Sequence, residues 1–294
     1  MQKMNFSKHT IIYTFLILVF ILVLGFVIIK YNSTIKTNLN SENNIITHFI
    51  DVGQGDCILI QVNHKNLLID SGPSDSNKKV IRYLKNNNIT KLDYIIATHP
   101  HEDHIGGMAS IIKAFKVGEF IAPKATSSSE EFKDMIRSLI NKNLNIKVAK
   151  PNITLDLGPN TTCIILSPNK KVYKDTNNYS CAIKISYKTS TYLFTGDIET
   201  ISEQEILNKG YDLKAQVLKV GHHGSNSSTS MEFLNAVRPK IAVISCGANN
   251  TYGHPNKETI DKLQNQNCII YRTDLDKNIV LISDGTNIDK FEGN

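Results

Sequence analysis

The chain has 294 residues, 41% of them hydrophobic, with 16 glycines and 8 prolines, which excludes a fibrous or disordered protein and allows one large hydrophobic core or two small ones. The formal net charge of +6 is concentrated, because residues 1–30 contain three lysines and no acidic residue, so the rest of the chain is only mildly basic. Without a dense block of Lys or Arg, charge alone does not indicate a nucleic-acid partner.

Residues 11–29, IIYTFLILVFILVLGFVII, contain no charged side chain and lie between Lys8 and Lys30. At about 1.5 Å per residue, a helix of this length spans the roughly 30 Å hydrocarbon layer of a membrane. A buried core helix would carry a polar stripe, and a cleaved signal peptide would have a shorter apolar region and a small-residue cleavage site. We therefore expect a membrane anchor in residues 1–30, with its transmembrane helix at 11–29, and cleavage remains the alternative. The lysine counts on the two sides nearly balance, but the short N-terminal flank favours an extracellular C-terminal part.

Residues 31–44 are rich in Asn, Ser and Thr and are interpreted as a polar linker, after which strands and helices alternate over 45–294. The predicted strands are IITHFIDV, CILIQV, NLLIDSG, LDYIIATH, EFIAP, IKVA, TLDL, TCIILSP, CAIKISY, TYLFTGD, QVLKVG, KIAVISCG, CIIYRTD and NIVLISD. The predicted helices lie at 78–87, 107–115, 201–208, 230–237 and 256–265 and in SEEFKDMIRSLINKN. This α/β pattern predicts two sheets packed together and covered by helices on the outside.

The cysteines, the aromatic residues and two of the histidines are not predicted to take part in catalysis or ligand binding. The five cysteines lack CxxC spacing and lie in apolar runs, so we expect free core cysteines. The aromatic residues are scattered, so no stacking platform for nucleobases is predicted. His48 and His64 lie beside strands and are interpreted as ordinary surface or edge residues.

Six of the nine histidines fall in three short motifs: HPHEDH at 99–104, KVGHHGSNSS at 219–228 and NTYGHP at 250–255. Each motif follows an apolar strand at its C-terminal end, where layered α/β folds place ligands. His99 and His101 are two residues apart on an extended segment, so their imidazoles point to the same side and can hold one metal ion. Asp103 and His104 follow in a turn and can reach a second ion.

Asp197 ends the predicted strand TYLFTGD, between the first two histidine motifs. A Gly-Asp pair after a strand is often only a turn, but beside these histidines a carboxylate that bridges two metal ions is the better interpretation. Nitrogen and carboxylate ligands suit zinc, or manganese and iron where oxygen ligands dominate.

These motifs also carry a family resemblance. HPHEDH, with LLIDSG before it, TGD after it and HHG further on, resembles the metallo-β-lactamase fold superfamily, a four-layer αββα sandwich of metal-dependent hydrolases. The resemblance covers about residues 45–290. FIDVGQGDC, ATHPHEDHIGG, LFTGDIE, LKVGHHGSNSS and ISCGANNTYGHP are together similar to the hydrolase domain of ComEC-type competence proteins, which take part in DNA uptake. The resemblance implies a hydrolase domain over residues 45–294.

By position, the resemblance implies a set of metal ligands, with His222 as the alternative to His223: His99, His101, Asp103, His104, Asp197 and His223. Asp197 is the implied bridge. Asp103 and His254 are the implied catalytic residues, with His254 donating a proton or contacting a phosphate.

Further residues are implied around the metal ions. Asp70 would brace the metal loop through hydrogen bonds. Asp51, Gln54 and Asp56 would lie at the mouth of the site. Asn178 and Ser225 would support the ligands or contact the substrate.

One departure from the family pattern concerns the segment before the bridging Asp197. Lactamases and thioester hydrolases of the superfamily carry another His ligand there, whereas KKVYKDTNNYSCAIKISY contains none, and Asn177, Asn178 or Ser180 occupies the neighbourhood. One metal ion is then short of a nitrogen donor, so weaker binding is expected. The predicted cofactors are two divalent metal ions, zinc or manganese.

The ligands and the resemblance predict phosphodiester hydrolysis by a hydroxide activated by the metal ions. We expect a membrane-anchored phosphodiesterase or nuclease at the extracellular face of the cell membrane, acting on DNA or another phosphodiester, with other competence proteins as partners. Two alternatives stay open. One is a hydrolase of another envelope phosphodiester or a small molecule, and the other is a catalytically weak, metal-stabilised DNA-binding module.

Overall fold

The computed structural model describes residues 13–25 and 43–291. The chain divides into two units, residues 1–40 and 41–294, and each is described by itself. In the first unit, residues 13–25 form helix α1, and the side chains of 13–24 are exposed. Residues 11, 12 and 26–29 of the predicted transmembrane helix, and residues 31–42 of the predicted linker, lie outside the described residues. Within the described ranges, every helix is too short or too polar to cross a membrane.

The second unit contains strands and helices in alternation. The strands are β1 Ile45–Phe49, β2 Ile58–Val62, β3 Lys65–Ile69, β4 Lys91–Ile96, β5 Lys116–Ala122, β6 Ile146–Val148, β7 Thr161–Ile165, β8 Ile183–Tyr187, β9 Ser190–Phe194, β10 Val217–Lys219, β11 Ile241–Ile244, β12 Ile269–Arg272, β13 Ile279–Ser283 and β14 Ile288–Lys290. The helices are α2 Asn77–Asn86, α3 Glu102–Ile105, α4 Met108–Ala114, α5 Glu130–Asn141, α6 Thr200–Asn208, α7 Met231–Val237, α8 Lys257–Asn265 and α9 Thr273–Asp276.

The strands form two sheets. One has eight strands in the order β14-β13-β1-β2-β3-β4-β5-β6, and the other has six in the order β12-β11-β10-β9-β8-β7. Pairing is parallel from β3 through β6 and from β9 through β12, and antiparallel in the other pairs. The carboxyl ends of parallel strands meet at one edge of a sheet, so the segments that follow β3, β4, β9, β10 and β11 are brought close together.

The helices and sheets form four layers, and hydrophobic side chains are buried between them. Phe49 from one sheet and Phe194 from the other pack between the sheets, with their ring centroids 6.2 Å apart. The outer face of the eight-stranded sheet packs against α2, α4 and α5, and the outer face of the six-stranded sheet packs against α6, α7 and α8. This αββα sandwich confirms the fold predicted from the sequence.

The structure differs from the predicted elements in four places, one of which is helix α9, because its residues Thr273 and Asp274 were predicted to end the strand CIIYRTD. TLDL forms no strand, because Thr154 makes a single bridge to Ile164 before the chain turns. Strand β14 was not predicted, since IDK is too short and polar to carry a periodic signal. Helix α3 was predicted as a turn. The five cysteines are free, as expected.

The prediction for His48 was wrong. Its side chain on β1 is buried rather than exposed at an edge. The Tyr83 hydroxyl lies 2.9 Å from Nδ1, and Gln61 Oε1 lies 3.0 Å from Nε2. A neutral imidazole satisfies both contacts by accepting at Nδ1 and donating at Nε2. His64 lies exposed in the turn between β2 and β3, as expected.

Candidate metal centre

The metal loop, residues 98–107, follows β4 and carries four of the predicted ligands. Helix α3 begins directly after His101, so Asp103 and His104 lie on its first turn. The loop lies close against the turn after β1, where the Asp56 N–H donates to the Asp103 carbonyl oxygen at 3.2 Å. Gly55 in that turn has φ of +133°, and a Cβ there would overlap the same carbonyl group. A glycine is therefore required for this close approach.

Four donor atoms from three separate loops converge at one point. His223 Nε2 lies 3.2 Å from Asp103 Oδ2, 3.3 Å from Asp197 Oδ2 and 3.3 Å from His104 Nε2. His104 Nε2 lies 3.2 Å from Asp197 Oδ2 and 3.7 Å from Asp103 Oδ2. A tetrahedral zinc ion with bonds of 2.0–2.1 Å separates its ligand atoms by about 3.3 Å. The four atoms therefore fit one metal ion.

A second set of donor atoms lies on the other side of Asp197. His99 Nε2 is 3.0 Å from His101 Nδ1 and 3.9 Å from Asp197 Oδ2. Asp197 Oδ2 thus faces both sets, in the position of a bridging ligand. The other oxygen, Asp197 Oδ1, is buried and has no hydrogen-bond partner among the described residues, which also fits a carboxylate placed to bind metal ions.

Hydrogen bonds orient three of the imidazoles with Nε2 toward the centre. His104 Nδ1 donates to Asp70 Oδ2 at 2.8 Å, and His223 Nδ1 donates to the Ser245 carbonyl oxygen at 2.9 Å. Thr98 donates its hydroxyl hydrogen to Asp70 Oδ2 at 2.7 Å, so its oxygen is free to accept from His99 Nδ1 at 3.1 Å. Each ring therefore presents the nitrogen that a metal ion needs.

The electrostatics of the cluster point to a cation at the same place. Burial lowers the pKa of His104 and of His223, but the carboxylates of Asp197 and Asp103 outweigh it, raising the pKa of His104 well above its ordinary value and that of His223 to about 10. Burial raises the pKa of Asp197, but the two imidazoles outweigh it and hold that pKa well below its usual range. Two protonated Nε2 atoms 3.3 Å apart would repel each other. A divalent cation satisfies the same carboxylates without that repulsion.

An open cleft of about 360 Å³ leads to this cluster. Its lining includes Gln54, Asn177, His222 and His254 in addition to several ligands. His222 Nε2 lies 3.8 Å from Asp197 Oδ2, farther than His223 Nε2 at 3.3 Å, so the structure favours His223 as the ligand from this pair.

The local backbone turns both rings of the HHG segment toward the cluster. His222 and His223 lie in a short 3₁₀ helix, Gly221–Gly224, and both have left-handed φ angles of 47° and 54°. Such conformations cost non-glycine residues about 1–3 kcal/mol each and are tolerated where the surroundings hold them in place. Ser227 supports the segment, because its hydroxyl lies 3.3 Å from His222 Nδ1 and donates to Glu199 Oε1 at 3.0 Å.

Two of the residues that the resemblance implies at the mouth of the site, Asp51 and Asp56, lie elsewhere than expected. Asp51 pairs with Lys79 of α2 at 3.0 Å and does not line the cleft. Asp56 is buried beneath His223, where Lys219 Nζ lies 2.9 Å from its Oδ2. Neither residue lies at the mouth of the cleft. Of the three residues expected there, Gln54 alone lines the cleft.

Asn178 and Ser225, which the resemblance implies as supports of the ligands or as substrate contacts, lie behind the wall of the cleft. Asn178 is buried, donates to Glu199 Oε2 at 3.0 Å and accepts from the Glu199 N–H, and its neighbour Asn177 faces the cleft instead. Ser225 is buried and accepts from the Ser227 N–H at 3.2 Å. Both support the Glu199–Ser227 pair that contacts His222.

Sequence reasoning did not find Lys219, Glu199, Ser245 or Tyr252 at this site. Lys219 ends a buried strand, and a lysine there was a detectable signal, because a buried lysine needs an acidic partner. Ser245 acts through its backbone carbonyl, which no side-chain pattern reveals.

The comparisons with known proteins agree with this geometry. Residues 50–248 match the family model of the metallo-beta-lactamase superfamily. The chain is 32% identical over 254 residues to ComE operon protein 3 of Bacillus subtilis, and 29% identical over 236 residues to Competence protein ComA of Neisseria gonorrhoeae. Each alignment covers 80% of this chain and 32% of the relative, so the chain spans about a third of the length of these curated relatives.

One solved structure illustrates the likeness of fold. The metallo-beta-lactamase fold protein YhfI from Bacillus subtilis is 14% identical, with a TM-score of 0.56, over 82% of this chain and 99% of that chain.

Proposed function

We propose that this chain, which belongs to the metallo-beta-lactamase superfamily, is a metal-dependent phosphodiesterase that cleaves DNA. The chain is a metal-dependent hydrolase of that superfamily and is related to competence proteins. The phosphodiester bond and the DNA substrate are our proposal, supported by the geometry of the centre and by the resemblance to competence proteins, which take part in DNA uptake.

The observation that carries the proposal is the convergence of two donor sets on Asp197 at the base of an open cleft. A pair of divalent cations held by these residues would polarise a phosphoryl oxygen and make water nucleophilic near neutral pH. A shared carboxylate keeps the two sets together, which suits a reaction in which an attacking and a leaving oxygen must both be stabilised.

Residues of this chain position the substrate around the centre. The cleft is open, so an internal bond of a polymer can reach its base. His254 and Asn177 line the wall beside His222 and can donate hydrogen bonds to phosphoryl oxygens. Asp103 also lines the cleft, so it reaches both the donor set and the substrate.

The membrane location belongs to the same proposal. The uncharged run at 11–29, part of which forms an exposed apolar helix, supports an anchor that holds residues 45–294 at the extracellular surface. External protease should remove residues 45–294 from intact cells, and protection of these residues from the protease would contradict this placement.

The activity is tested with the full chain purified in detergent and supplied with Mn²⁺ or Zn²⁺. We expect cleavage of single-stranded DNA and of bis(p-nitrophenyl) phosphate. Asp197→Asn keeps the size of the side chain but removes its charge, and should lower turnover by more than about 100-fold, since even residues behind the ligands cost 10- to 100-fold. Asp289→Asn, the same change at an exposed site on β14, is the matched control.

The outcomes separate the alternatives. Full activity of Asp197→Asn would contradict the bridging role. Cleavage of bis(p-nitrophenyl) phosphate without cleavage of DNA would favour a hydrolase of another phosphodiester. Binding of DNA with both substrates intact would favour a metal-stabilised binding module.

A further inference from the structure

Tyr252 is an exposed aromatic side chain at the rim of the cleft. It lies in the loop between β11 and α8, lines the cleft, and is 69% exposed. Its ring is nearly parallel to that of His254, with centroids 5.8 Å apart and an angle of 23°. The His254 ring in turn lies edge-on to His222, at 5.4 Å and 73°. A row of three rings therefore leads from solvent to the metal centre.

The loop that carries Tyr252 is held in place from both sides. Asn250 donates to the Gly247 carbonyl oxygen at 2.9 Å and accepts from the His254 N–H at 3.0 Å. Gly247 donates its own N–H to Gln54 Oε1 at 3.1 Å, which ties the loop to the opposite rim. The aromatic ring is thus presented on a braced loop, so little conformational entropy is lost when a ligand contacts it.

The lining of the cleft is acidic, so a substrate must be bound there by contacts other than phosphate contacts to Lys or Arg. Its lining includes the carboxylates of Glu102, Asp103 and Asp197, and no Lys or Arg among the described residues lines it. Phosphates next to the scissile one therefore find no cationic side chain on the cleft wall. A nucleobase, in contrast, offers a π-face that stacks on an aromatic ring without regard to sequence.

We propose that Tyr252 stacks on the nucleobase next to the scissile phosphate, so that nucleic acid with unpaired bases is the substrate class of this site. This inference rests on the proposed phosphodiesterase function. In a duplex the same face of the base is covered by its neighbours, so single strands are preferred. A base-free polymer of sugar or polyol phosphates would gain nothing from this ring.

The test compares two oligonucleotides of equal length with the full chain and Mn²⁺. One is a single-stranded dodecamer with normal bases, and the other carries abasic tetrahydrofuran residues throughout. Tyr252→Ala should raise KM for the normal strand by about 5- to 150-fold, which is the range of base–aromatic stacking. It should leave KM for the abasic strand unchanged, and Tyr252→Phe should behave as the wild type on both. Ile140→Ala, a truncation of a side chain that is 66% exposed on α5, is the matched control.

A binding measurement gives a second readout that does not depend on turnover. In the Asp197→Asn background, a strand with one 2-aminopurine should lose fluorescence on binding, because stacking quenches this base. Tyr252→Ala in that background should abolish the quenching and weaken binding, whereas Tyr252→Phe should preserve both.

The two proposals fail in different ways. Equal losses on normal and abasic strands would assign Tyr252 to the sugar-phosphate chain and overturn base stacking. Absence of quenching together with normal cleavage would overturn stacking and leave the phosphodiesterase intact. Absence of cleavage of either strand, with quenching that depends on Tyr252, would overturn the phosphodiesterase and retain the stacking.

Discussion

Replacing Asp70 by Asn should weaken binding of the metal ion held by His104 through a change of tautomer. Asp70 Oδ1 accepts from the Thr98 N–H at 2.8 Å, so the oxygen of an Asn amide is required there and its NH₂ group replaces Oδ2. That group faces His104 Nδ1 at 2.8 Å, where two donors cannot meet. The imidazole is then driven to carry its proton on Nε2, the atom that faces Asp197 and His223.

The size of the effect follows from the burial of these groups. Both side chains are fully buried, so the lost hydrogen bond is one to a charged group, worth about 1.5–3 kcal/mol. This corresponds to roughly a 10- to 150-fold loss of affinity, which agrees with the 10- to 100-fold typical of residues that orient metal ligands.

Competition with a chromogenic chelator measures the affinity directly, and thermal melting of the metal-free chain reports whether the fold survives. Asp93→Asn is the matched control, because Asp93 is also nearly buried and also accepts a backbone N–H, from Asn66 at 3.0 Å, but lies away from the centre. Wild-type affinity in Asp70→Asn would refute the tautomer argument. An equal loss in Asp93→Asn would show that the effect is not specific to His104.

Two further predictions concern the scaffold. Gly55→Ala should lose about 1–3 kcal/mol more folding stability than Gly53→Ala, together with metal uptake, because both glycines have a positive φ that strains an alanine but only the Cβ at position 55 meets the Asp103 carbonyl; equal urea midpoints for the two variants would contradict this. Burial lowers the pKa of His48 from 6.5 to about 4, so on acidification the unfolded chain takes up the proton on this imidazole before the folded chain does. The contribution of His48 to the free energy of unfolding is therefore complete above pH 6.5 and falls by up to about 3 kcal/mol as the pH drops to about 4. Urea unfolding at pH 7, 5.5 and 4 should show a smaller fall for His48→Gln than for the wild type, and parallel pH profiles would count against His48.

The ligands could be predicted from sequence because each depends on a local pattern at the end of a strand. HPHEDH places its donors within six residues, and Asp197 and His223 follow β9 and β10, which pair with each other in parallel. Parallel pairing brings the ends of β4, β9 and β10 to the same edges of the two sheets, so segments far apart in sequence meet without any pairwise signal.

The supporting residues could not be placed in this way. Whether Asn177 or Asn178 faces the cleft depends on the rotation of one 3₁₀ turn, Thr176–Tyr179, and neighbouring side chains in such a turn point about 120° apart. Asp56 lies in a polar turn that is typical of a surface, yet it is buried because its partner Lys219 ends a strand of the other sheet. Both outcomes depend on tertiary contacts, of Asn178 with Glu199 and of Asp56 with Lys219, which motif spacing does not encode.

The two donor sets differ in their number of donor atoms, and this difference corresponds to the histidine that the sequence lacks before Asp197. The set around His223 has four donor atoms, whereas the set around His99 has two imidazole nitrogens and the shared Asp197 oxygen. In the segment before Asp197, where the family resemblance predicts a histidine ligand, Ser180 lies against the centre: its hydroxyl accepts the Asp197 N–H at 3.1 Å and lies 3.2 Å from His99 Nδ1. Ser180 therefore orients two ligands instead of adding one. A metal ion held by three protein ligands keeps an open position for water or substrate, which is the arrangement of catalytic rather than structural sites. We therefore expect a substrate to bind on the His99 side, next to the wall formed by Asn177 and His222.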